Sequence, residues 1–210
     1  MLKVKICGIT NLGDALFCSQ EGADALGFIF SRLSPRCINT KTAGRISQQI
    51  GPFINKVGVF VNEKKDKVLK LAQAAGLDTL QFHGREEPSY CRTFKARFKV
   101  IKVLFPQDRP FKKTIRRYKG VDAFLFDVKY ENKLEGKNSL SGSVLSEISS
   151  LIKEGCRVII SGGLNPGNLS RVGKIYPYAV DVASGVEKYA GKKDKTAVRA
   201  FIRKAKAIVK

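Results

Sequence analysis

Lys5-Ile-Cys-Gly-Ile-Thr10 is the stretch from which the rest of the chain can be read. Val4, Lys5 and Ile6 read as the end of a first β-strand, and Cys7 and Gly8 follow. Thr10-Asn11 can cap a helix starting near Leu12. A thiol at the carboxyl end of a strand, just before a βα turn, sits where closed and open α/β folds place their chemistry. Outward from this stretch, strand-like and helix-like segments alternate. The strand candidates are residues 3–7, 24–30, 56–61, 78–82, 98–104, 122–127, 157–161 and 179–183. Continuous runs such as Leu26-Gly-Phe-Ile-Phe30 and Val158-Ile-Ile160 suit strands covered on both faces of a parallel sheet. The last helix-like segment carries one apolar stripe at helical spacing: Val198, Phe201, Ile202, Ala205, Ile208 and Val209.

A junction recurs between these segments. Gly22-Ala-Asp24, Gly76-Leu-Asp78 and Gly120-Val-Asp122 each close a helix and open a strand. Glycine supplies the left-handed residue after a helix, and a short αβ loop follows. Eight βα units of roughly 26 residues fill the chain with no linker left over. The expectation is an α/β fold, a single (β/α)8 barrel domain over residues 1–210. An open doubly wound sheet is the alternative, though it normally has fewer strands.

Composition narrows the function classes. With 210 residues, 43% hydrophobic and 27% charged, the chain reads as a folded globule and not as a disordered one. No apolar run approaches the ~20 residues a membrane helix needs, and Met1-Leu2-Lys3 runs straight into the first strand without a secretory signal. Five cysteines without a C-x-x-C pair argue against a disulfide framework or zinc ribbon and for a reducing, cytoplasmic location. One histidine, His83, argues against a multi-histidine metal site, so no metal or cofactor is expected. The net charge is +21, and the excess is concentrated in residues 92–119 and 188–210. No RGG, zinc-finger or RRM-like pattern accompanies it, which favours a solvated basic surface that steers an anionic substrate over nucleic-acid binding.

In a barrel, the carboxyl ends of the strands form one face. Those ends carry Cys7, Phe30 with its loop to Arg36, Asn62, His83, Phe105, Asp127, Gly162-Gly163 and Ser184-Gly185. A thiol, a carboxylate, a guanidinium, an imidazole and two glycine turns form a plausible set for a phosphorylated substrate.

These stretches, in order, resemble phosphoribosylanthranilate isomerase of tryptophan biosynthesis. The match runs through Lys5-Ile-Cys-Gly-Ile-Thr10, Ser34-Pro-Arg36, Val57-Gly-Val-Phe-Val-Asn62, Leu80-Gln-Phe-His-Gly84, Phe124-Leu-Phe-Asp127, Ser161-Gly-Gly-Leu164 and Asp181-Val-Ala-Ser-Gly-Val-Glu187. The resemblance implies a (β/α)8 barrel and an Amadori rearrangement of N-(5-phosphoribosyl)anthranilate. It implies Asp127 as the general acid that opens the furanose and Cys7 as the base that removes the C2 proton. A carboxyl kept protonated and a thiol that reaches the thiolate are then required. Arg36 is implied to grip the anthranilate carboxylate, and His83 and Asp181 to contact substrate. Gly162, Gly163, Ser184 and Gly185 are implied to hold the phosphate through backbone N–H groups. The protein is expected to be a monomer or homodimer. The loop 128–141 departs from the family's glycine-rich Gly-Gly-x-Gly pattern; Gly136 stands in its middle, and the chain has no Trp. A related sugar-phosphate isomerase of the histidine pathway would pair two acids, where this chain offers Cys7 with Asp127. A polyanion-binding barrel is the non-enzymatic alternative.

Overall fold

Short runs of β-branched and aromatic residues become eight parallel strands. They are β1 (Lys3–Cys7), β2 (Ala25–Ile29), β3 (Asn55–Phe60), β4 (Thr79–Phe82), β5 (Lys99–Leu104), β6 (Ala123–Phe126), β7 (Val158–Ile160) and β8 (Ala179–Val182). Each pairs with its sequence neighbour, and β1 pairs with β8, so the sheet closes into a barrel. This computed structural model describes residues 1–128 and 140–209. Most of the variant loop, with Lys129 and Gly136, lies outside the described residues. The helices covering the barrel are α1 (Leu12–Gln20), α2 (Thr40–Gln49), α3 (Lys65–Ala74), α4 (Pro88–Arg92), α5 (Phe111–Arg117), α6 (Gly142–Lys153), α7 (Ser170–Gly173) and α8 (Lys195–Lys206). After β8 come a 3-10 turn, Ser184–Val186, and a two-stranded hairpin, β9 (Glu187–Tyr189) and β10 (Lys192–Lys193).

Alternation along each strand makes two cores. Val4, Ile6, Leu80, Phe82, Val180 and Val182 face outward into the layer beneath the helices. Val57, Ile101, Val103, Ala123, Leu125, Ile159 and Ala179 fill the barrel itself.

The Gly-x-Asp junctions turn out to cap strands. Gly22, Gly76 and Gly120 take positive φ (95°, 62° and 94°), as a helix-terminating residue does. The aspartate two positions on then accepts a backbone N–H from the preceding strand. Asp24 takes Val4 N at 2.8 Å, Asp78 takes Lys56 N at 2.9 Å and Asp122 takes Val100 N at 2.7 Å. The signature therefore precedes β2, β4 and β6 and satisfies an amide of β1, β3 and β5. Before β8 the amide of Lys3 is bound by the Tyr178 carbonyl instead.

Two sequence expectations need adjustment. In α8, Val198, Phe201, Ile202 and Ala205 are buried, but the helix ends at Lys206 and Val209 is 67% exposed. The basic stretches are also not free cationic strips. Lys95 and Lys99 pair with Asp122, Arg109 with Glu147, and Lys112 with Glu154. Lys192 pairs with Asp14, Arg199 with Glu21, and Lys206 with Asp24. The barrel brings acids from distant segments against cations that are contiguous only in sequence.

Candidate active site

The upper ends of the strands leave a cavity of about 190 Å³. Cys7, Arg36, His83, Asp127, Gly162, Gly163, Asp181, Ser184 and Gly185 all line it, so every expected site residue converges. Phe30, Asn62 and Phe105 lie just past the ends of β2, β3 and β5 and do not line it. A larger space, about 370 Å³, lies at the opposite end of the barrel, where the strands begin.

Cys7 is 5% exposed and ends β1. Burial pushes its thiol up, and the Lys5 ammonium beside it acts the other way. Gly8 follows at φ 75°, and a Cβ there would lie 2.6 Å from the Arg36 side chain. Glycine is thus required for Arg36 to cross over the first turn. Arg36 sets its Nε and Nη2 against Glu187, with Nη2 2.6 Å from Oε2. Lys193, 1% exposed, donates from Nζ to Glu187 Oε1 at 2.9 Å, to the Cys7 carbonyl at 2.6 Å and to the Ala183 carbonyl at 3.2 Å. Burial opposes ionisation of Glu187, but Arg36 and Lys193 prevail and hold its carboxyl below the ordinary range.

Asp127 follows β6, is 5% exposed, and accepts the Val128 N–H at 2.7 Å. The His83 imidazole reaches toward it, with Nε2 3.6 Å from Oδ2. Gln81 Nε2 lies 3.3 Å from His83 Nδ1, and Phe105 meets the imidazole edge-on. In the closed barrel β1 and β6 lie three strands apart, so Cys7 and Asp127 face each other across the mouth.

The two glycine turns are adjacent. Gly162 and Gly163 take positive φ, and a Cβ on Gly185 would lie 1.8 Å from the Leu164 carbonyl oxygen. Only glycine allows the turn after β8 to rest on the turn after β7. Asn168 steadies the first of them by donating from Nδ2 to the Gly163 carbonyl at 2.9 Å.

Sequence reading passed over four participants. Lys5 passed for strand filler, but it is buried and donates to Asp181 Oδ1 at 2.7 Å. Ser161 lies 3.3 Å from the other oxygen of Asp181. Gln81 and Lys193 complete the group. A lysine in the middle of an apolar strand was the one local signal that could have flagged Lys5.

Comparison with known proteins fits this geometry. The family model for N-(5'phosphoribosyl)anthranilate (PRA) isomerase matches residues 4–204. A Pelobacter propionicus protein of that name is 42% identical over 208 residues, covering 98% of this chain and 96% of that protein. The Thermotoga maritima enzyme, described as dimeric in one of its structures, superposes with a TM-score of 0.89 at 40% identity, over 98% of this chain and 99% of that one. A phosphoribosyl anthranilate isomerase in complex with reduced 1-(o-carboxyphenylamino)-1-deoxyribulose 5-phosphate superposes with a TM-score of 0.82 at 38% identity, over 98% of this chain and 99% of that one.

Proposed function

We infer the reaction from a premise that the length-wide match supplies: the chain belongs to the N-(5'-phosphoribosyl)anthranilate isomerase family. It is an isomerase of tryptophan biosynthesis, and it converts N-(5-phosphoribosyl)anthranilate to 1-(2-carboxyphenylamino)-1-deoxyribulose 5-phosphate. In our reading Asp127 is the general acid. Its proton goes to the furanose ring oxygen, the C1–O bond breaks, and the anilino nitrogen lone pair forms a C=N bond. Cys7, as thiolate, then takes the C2 proton. The C2–H electrons form C1=C2, the nitrogen recovers its pair, and the enolamine tautomerises to the ketone. The chemistry needs an acid and a base on opposite sides of one sugar, and each contributes typically 10²–10⁴-fold. The observation that carries the reading is that Cys7 and Asp127 line one cavity from strands three apart.

The remaining groups bind. Glu187 occupies the Nε–Nη2 edge of Arg36, and the Nη1 side is assigned to the anthranilate carboxylate. Gly162, Gly163, Ser184 and Gly185 take the phosphate through backbone N–H groups, the common use of the last two βα turns in this fold. His83 and Asp181 border the sugar. The dimeric Thermotoga relative and the 96% exposure of Phe53, at the rim of the cavity on the opposite face, favour a homodimer over a monomer. Consumption of phosphoribosylanthranilate by the purified protein tests the reaction. Turnover is expected, and a folded protein that leaves the substrate untouched would overturn the assignment. Light scattering tests the dimer.

A further inference from the structure

We propose that Lys5 is a positioning residue for the base: its buried ammonium, held by Asp181, faces the Cys7 sulfur and stabilises the thiolate. This rests on the reading of Cys7 as the base. Lys5 and Cys7 are two positions apart on β1, so both point into the barrel. The register sets Lys5 beside Asp181 of β8 and Cys7 beside Gly27 of β2. A Cβ on Gly27 would lie 2.8 Å from Cys7 Sγ and 3.1 Å from Lys5 Nζ. The room left by the missing side chain is therefore shared by the thiol and the ammonium.

Stability alone does not account for this charge. An apolar replacement of a buried ion pair is often neutral or stabilising. Lower in the same barrel the chain does use apolar residues, Val57 and Ala179 among them. The pair sits instead against the one sulfur that must lose a proton. Burial pushes the Cys7 thiol up and Asp181 works in the same direction, so both favour the protonated thiol. Lys5 from β1 and Lys193 from β10 are the cations that oppose them. With the thiolate formed, the step balances: S–H forms, C2–H breaks, and the electron pair moves through C1=C2 to the imine nitrogen.

The test is the pH dependence of Cys7 alkylation by iodoacetamide, read on the Cys7 peptide by mass spectrometry so that the exposed Cys37 does not interfere. Lys5→Met should raise the midpoint by about 1–3 pH units, as loss of a nearby opposite charge does. Asp181→Asn should lower it. The rising limb of kcat/KM should move with each midpoint. If Lys5→Met fails to fold because Asp181 is left unpaired, Lys5→Met/Asp181→Asn removes both charges. Its midpoint should still rise, because Lys5 acts on the sulfur more strongly than Asp181 does. An unmoved midpoint in the Lys5 variants, or Lys5→Met and Asp181→Asn shifting it in the same direction, would overturn the proposal. Alkylation needs no turnover, so this outcome is separate from that of Cys7→Ser, whose full activity would instead remove the base itself.

Discussion

The barrel interior changes character with height. Its lower part is held by Val57, Ile101, Ala123, Ile159 and Ala179, with no charge among them. Its upper part holds Lys5, Cys7, Gln81, Asp127, Ser161 and Asp181, all of them buried. The same strands supply both. Below, burial of apolar surface is the whole purpose, and shape decides what fits. Above, Lys5, Asp127, Ser161 and Asp181 are held by polar partners, because an unpartnered buried polar group costs free energy. Gln81 bonds through Nε2 and leaves its buried Oε1 without a partner among the described residues. The comparison says where a substitution should be felt as lost stability and where as lost chemistry.

The largest effect should come from the top. Cys7→Ser or Asp127→Asn should lower turnover on the order of 10²–10⁴-fold, with an unchanged circular dichroism melt; a variant at near wild-type rate would remove that residue from the mechanism. Lys193→Met joins chemistry to stability, since it leaves Glu187 with Arg36 and the Gly191 N–H and strips a donor from the carbonyls of Cys7 and Ala183. Breaking a buried pair typically costs about 3–5 kcal/mol, measurable by urea denaturation. Ile159→Ala, in the lower interior, should cost about 2–5 kcal/mol while kcat at a permissive temperature stays within about twofold of wild type. A large kcat loss there would dissolve the division by height.

A smaller effect should follow pH. The Glu187 carboxyl is held below its ordinary value of 4.5 in the folded protein, so folding favours its ionised form. That contribution is fully present above about pH 4.5 and is lost as pH falls through the lower, folded value. The stability gap between wild type and Glu187→Gln should therefore narrow on acidification below that point, as read from denaturation midpoints across the acid range. The smallest effect belongs outside both interiors. Val209→Ser should change stability by less than about 0.5 kcal/mol, because Val209 lies beyond α8 in solvent.

Some of this was written in neighbouring residues. All eight strands fall within two residues of their expected bounds, because alternation and β-branched runs act over a few positions. The Gly-x-Asp junctions were legible as turns, since positive φ is a property of one glycine. Their capping of the strand before was not, because the acceptor and the amide lie about twenty residues apart, as in Val4 with Asp24. In the site, Cys7 and Asp127 stood out by ending apolar runs. Lys193 looked like one more cation in a basic tail.

Periodicity, turn chemistry and the order of motifs thus settle the barrel from the chain alone and bring Cys7, Asp127 and the two glycine turns to its mouth, since each acts through local geometry that any closed barrel respects. Closure of β8 on β1 decides the rest. It brings Asp181 to Lys5 across 176 residues of sequence and carries Lys193 to Cys7 across 186. Those contacts choose which buried charges are paired, and so which charges stand beside the Cys7 thiol. Electrostatic energy in a dry interior depends on distances of a few ångströms in space, and separation along the chain carries almost no information about them.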